Sequence, residues 1–146
     1  MDDERTTSTA PTWFWIAAIL ALLFECLGCF FYLAEVMMTD AEIAALPIDQ
    51  RAMFAARSGY YYAAFAVAVW VGLTGTVLLL MRQTLAEPLL LVSLAAVVAQ
   101  FAIALLTPRM SQVTPDSAYA VPIAIFVICY GIYMLARLSR KRGWVR

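Results

Sequence analysis

Four long apolar stretches leave this chain few folds to adopt. Trp13–Met38, Gly59–Met81, Pro88–Thr107 and Ala118–Ala136 each approach or exceed the roughly 20 residues a helix needs to cross a hydrocarbon core of about 30 Å. Only Glu25 and Glu35 interrupt the first, and the other three carry no charge. The apolar share of the 146 residues is 64% and the mean hydropathy is +0.83, above the roughly 45–50% apolar content of soluble domains. The expected fold is therefore all-α: a single integral-membrane domain over residues 1–146, a four-helix bundle of up-down topology. The first stretch does not read as a signal peptide. Its leading segment "MDDER" is acidic, and its apolar run exceeds the roughly 7–15 residues of a signal h-region.

Composition narrows the chemistry. Ten Lys+Arg balance ten Asp+Glu, so no global charge points to nucleic acid. Histidine is absent, which removes His-ligated haem, most catalytic zinc sites and His-based triads. The three cysteines, Cys26, Cys29 and Cys129, all lie in apolar runs, which argues against a disulfide framework. No cofactor, no metal and no enzymatic activity are expected.

Basic residues near the spans set the expected orientation. Arg5, Arg82, Arg137, Arg140, Lys141, Arg142 and Arg146 fall on one side; Arg51, Arg57 and Arg109 fall on the other. Both termini are expected in the cytoplasm, with the chain multi-pass in a bacterial inner membrane. The tail 137–146, "ARLSRKRGWVR" with the residue before it, suits anionic lipid through Arg137, Arg140, Lys141 and Arg142, with Trp144 as an interfacial anchor. On the outer side, Thr39-Asp40-Ala41-Glu42 matches a capping box and predicts a short amphipathic helix ending near Pro47. The last outer loop, "TPRMSQVTPDSAYAVP", is expected to be irregular, with Asp116 or Ser117 capping the fourth helix.

Depth along the spans brings polar residues to one level. At about 1.5 Å per residue, Glu25 sits roughly 18 Å beyond Trp13, and Gln100 lies as far beyond Pro88 on a span running the same way. The antiparallel spans bring Trp70 and Tyr130 to a similar level. Glu25, Gln100, Trp70 and Tyr130 thus form a candidate intramembrane polar layer. No basic residue lies at that depth, so the carboxyl is expected in its neutral form, hydrogen-bonded to the Gln100 amide. Two roles stay open for Glu25: a helix-to-helix lock, or a proton or substrate site. Cys26-x-x-Cys29 sits mid-helix in apolar surroundings and reads as packing rather than redox chemistry. Ala64, Ala68 and Gly72 make a small-residue stripe suited to close helix packing, within the bundle or between copies.

Several segments together resemble a group of small bacterial four-span proteins often labelled "sugar transporter". They are "LLFECLG", "MTDAEIAALP", "VWVGLTGTVLLLMRQTLAEPLLLVSLAAVVAQF", "YAVPI" and "RKRGWVR", and they cover nearly the whole chain. Members of that group tend to carry Asn at the position of Glu25 and agree at Gln100, so the resemblance favours a hydrogen-bonding role there. The resemblance implies no catalytic or binding residue. Two functions are carried forward. One is a non-enzymatic accessory or structural subunit that packs against a larger membrane complex or as a homo-oligomer. The other is an oligomeric small-solute transporter, proton-coupled through Glu25. The lipid bilayer is a partner in both.

Overall fold

The computed structural model describes residues 9–113 and 119–146, and every regular element among them is a helix. In chain order these are α1 (Thr12–Val36), α2 (Asp40–Ala45), α3 (Ile48–Ala56), α4 (Gly59–Leu80), α5 (Ala86–Leu106), α6 (Pro108–Val113) and α7 (Ala120–Lys141). Helices α1, α4, α5 and α7 are long and apolar enough to cross a membrane. Arg5 and the expected caps Asp116 and Ser117 lie outside the described residues.

The expected short helix after α1 forms, with its capping box complete. The Thr39 backbone N–H donates to Glu42 Oε2 at 2.7 Å, and the Glu42 N–H donates to Thr39 Oγ1 at 3.3 Å. A second short helix, α3, follows where one was expected. Pro47 ends α2 and opens α3, accepting from the Arg51 N–H at 3.0 Å. The Arg51 guanidinium then turns back to the carbonyls of Ala44 and Leu46, capping the end of α2.

The segment after α5 is not wholly irregular as expected. Pro108 starts α6, because proline's fixed φ suits a first helical position and its missing N–H is not needed there. The Thr107 carbonyl accepts from Met110 N–H at 2.9 Å and Ser111 N–H at 3.1 Å.

Two helix ends close in the same way. At the end of α4, Arg82 takes a left-handed conformation (φ 59°) and the Gln83 N–H donates to the Leu78 carbonyl at 2.8 Å. At the end of α7, Gly143 does likewise (φ 69°) and the Trp144 N–H donates to the Ser139 carbonyl at 2.9 Å. The two reversals then pair with each other. Arg146 N–H donates to the Arg82 carbonyl at 2.6 Å and Thr84 N–H to the Arg146 carbonyl at 2.8 Å. The Arg82 Nε–H also donates to the Trp144 carbonyl.

This arrangement corrects the expected role of Trp144. The Gly143 reversal folds it inward, where it is 6% exposed and edge-on to Trp13 (5.4 Å) and Phe14 (5.9 Å). The tail is not a free basic segment either. Helix α7 runs on to Lys141, so Arg137, Arg140 and Lys141 lie on its last turns, exposed, with Arg140 paired to Glu87 at 2.9 Å. Arg142 lies over the Trp144 ring.

Packing is closest between α4 and α5, next between α1 and α4, and then between α5 and α7. Gly75 lets the Leu90 side chain approach, and a Cβ there would lie 2.8 Å from Leu90 Cγ. One buried cluster gathers Phe14, Ala18, Leu79, Leu90, Ala136 and Trp144 near the paired reversals. A second gathers Ala68, Leu94, Val97, Cys129 and Tyr133 further along.

Candidate functional site

The buried face of α1 is narrow. Phe14, Ala18, Ala21, Glu25 and Cys29 recur every three or four residues, so Glu25 belongs to the stripe that packs inward. Opposite it, Ala68, Gly72 and Thr76 give α4 a face without bulk. A Cβ on Gly72 would lie 2.8 Å from Glu25 Cδ and 2.8 Å from Ser93 Oγ. The carboxyl and the serine hydroxyl therefore meet over the Gly72 backbone. Of the small-residue stripe, Ala68 and Gly72 are buried and Ala64 is partly buried.

Side chains from both flanking helices address the backbone of α4. Ser93 Oγ donates to the Ala68 carbonyl at 2.7 Å, and the Cys29 thiol to the Val69 carbonyl at 3.6 Å. Thr76 turns its hydroxyl back to the carbonyls of Gly72 and Leu73. Cys129 is buried, whereas Cys26 is exposed on the outside of α1. Among the described residues no cluster of acidic and thiol groups is suited to a metal ion.

The expected polar layer is only half assembled. Glu25 (4% exposed) and Gln100 (8% exposed) both turn inward. Trp70 (44% exposed) and Tyr130 (48% exposed) turn outward. Depth can be counted along a sequence, but the direction a residue faces cannot be read from helices that are apolar on every side. The direct Glu25–Gln100 hydrogen bond is also not made. The Gln100 amide lies near the Tyr61 hydroxyl, and the Glu25 carboxyl makes no hydrogen bond among the described residues.

A cavity of about 820 Å³ separates these polar groups. Its inner end holds Glu25, Ser93 and Cys129; its other end holds Glu35, Arg57, Met110 and Tyr119. Glu35 and Arg57 form an ion pair, and the Arg57 guanidinium lies over the rings of Phe54 (4.5 Å) and Tyr61 (5.2 Å). Phe24, Phe65, Phe101 and Phe126 supply aromatic wall between the two ends. Ser93, Tyr61 and the Glu35–Arg57 pair were not anticipated from sequence. Ser93 is the one hydroxyl between the ends of the third apolar stretch, and that was the available signal.

Comparison with protein-family models, with curated proteins and with solved structures gives no match.

Proposed function

We propose that this chain is a multi-pass membrane protein that carries a small, mostly apolar solute through the cavity ending at Glu25. The carrying observation is the cavity itself: about 820 Å³, within the roughly 300–1,000 Å³ typical of small-molecule sites, with a buried, unbonded carboxyl at its inner end. A helix pair locked by Glu25 alone needs no such space. The lining argues against a sugar as cargo, because its few polar groups leave most sugar hydroxyls without hydrogen-bond partners. Glu25 is the residue through which transport would couple to protons.

In this reading α1, α4, α5 and α7 span the bilayer in alternating directions, with both termini cytoplasmic. The distribution of charge supports it. Arg82, Arg140 and Arg146 gather at the end where the α4 and α7 reversals pair, while Arg51 and Arg57 lie by α3.

Thiol labelling from each side of the membrane tests the proposal. With Cys26, Cys29 and Cys129 replaced, Ser93→Cys in a carrier reacts with a charged maleimide in both right-side-out and inverted vesicles. Reaction from one side alone reduces the site to a binding pocket. No reaction from either side removes the solute pathway.

A further inference from the structure

Among the described residues, three charged side chains line the cavity: Glu25, Glu35 and Arg57. Arg57 is already committed to Glu35. That leaves one carboxyl, 4% exposed, facing a largely apolar space with no hydrogen bond among the described residues. Among the described residues, the groups around it do not supply a cation. Cys29 lies on its own helix and donates to the Val69 carbonyl; α4 offers Gly72 and Ala68; α5 offers Ser93, committed to the Ala68 carbonyl, and Gln100; α7 offers Cys129. A buried carboxylate without a partner is expensive, and a charge of opposite sign is its strongest remedy.

The walls have a second property. Phe24, Phe65, Phe101, Phe126 and Tyr61 all border the space, and ring faces attract cations while accepting apolar bodies. An anion would meet Glu25 with no free guanidinium, and a neutral polar molecule would find few partners.

We propose that the cavity binds an organic monocation with an apolar body. The cationic centre sits at the Glu25 carboxylate, and the body lies among Phe24, Phe65, Phe101 and Phe126. This rests on the cavity of the carrier reading and names the class of solute it accepts.

A matched pair of probes tests it: naphthylmethyl-trimethylammonium, and neopentylnaphthalene, in which carbon replaces the charged nitrogen. Saturable binding of each is followed by fluorescence anisotropy on the full chain in lipid nanodiscs, in mildly alkaline buffer, with empty nanodiscs subtracted. The wild-type protein is expected to bind the cation at least about tenfold more tightly than its isostere, the lower end of what an adjacent opposite charge does for a buried carboxylate. Glu25→Gln is expected to erase that preference while still binding the isostere, which reports that the cavity is intact. Glu25→Asp is expected to retain it.

Equal binding of the two probes by the wild-type protein overturns the cation assignment and leaves the cavity reading standing. A preference that survives Glu25→Gln does the same. Binding of neither probe above empty nanodiscs overturns both. The wild-type comparison decides by itself if Glu25→Gln does not fold.

Discussion

The Glu25 carboxyl occupies the space where a side chain of residue 72 would begin. Because residue 72 is glycine, α1 and α4 can close around an acid that Ser93 meets from α5. Gly72→Ala is expected to destabilise the protein by about 1–3 kcal/mol, the usual range for overpacking, and to displace Glu25. Gly131 has open space at its Cβ position, so Gly131→Ala is expected to be neutral or stabilising by up to about 1 kcal/mol. Thermal unfolding in detergent compares the two. Equal effects would mean that Gly72 serves only as a helix residue.

Trp144 joins the end of α7 to the start of α1. Trp144→Ala is expected to remove about 3 kcal/mol, as for other buried tryptophans, and Trp144→Phe to restore much of that. Chemical unfolding of the detergent-solubilised protein gives the figure. A change within about 0.5 kcal/mol, ordinary for a surface site, would return Trp144 to the membrane interface.

The Glu35–Arg57 pair is shielded, with side-chain exposures of 24% and 13%. A double-mutant cycle on Glu35→Gln and Arg57→Met is expected to give a coupling of about 1–2 kcal/mol, within the range for contacting residues. Independent, additive effects would show that the pair closes nothing.

Acid should loosen α2. Hydrogen bonds from the Thr39 N–H and hydroxyl hold the Glu42 carboxyl below its usual range. A carboxyl lowered in the folded state stabilises above its unfolded value, and that contribution is lost as pH falls through the folded value. Hydrogen exchange at the Thr39 amide is therefore expected to speed up, beyond its intrinsic rate, as pH drops below the ordinary carboxyl range. Glu42→Gln is expected to flatten that response. An unchanged response in the variant would place the pH sensitivity elsewhere.

What the sequence disclosed was what is local. Thr39 and Glu42 sit three residues apart, and their capping box could be read before any coordinates. The four long helices were legible from apolar length alone. Facing was not, because a helix that is apolar all round has no periodic signal to separate Trp70 and Tyr130 from Glu25. Nothing nearby in the chain indicated that α7 would run on to a reversal at Gly143 or that Trp144 would meet Phe14. Pro108 invited the reading of a breaker, whereas at a first helical position the same ring starts a turn.

The carbonyls of Ala68 and Val69 receive Ser93 and Cys29 from opposite neighbours. Every residue type that keeps α4 helical presents the same carbonyls. The alignment of three helices is thus written on the donors rather than on the helix they grip. Random substitution of α4 positions 68 and 69 by small apolar residues should preserve the assembly, whereas Ser93 should tolerate only residues that keep a short side-chain donor, threonine and cysteine. An evolving chain built this way could exchange small apolar residues along the α4 wall of its cavity without loosening it, because the wall and the fastening are separate parts of the same helix.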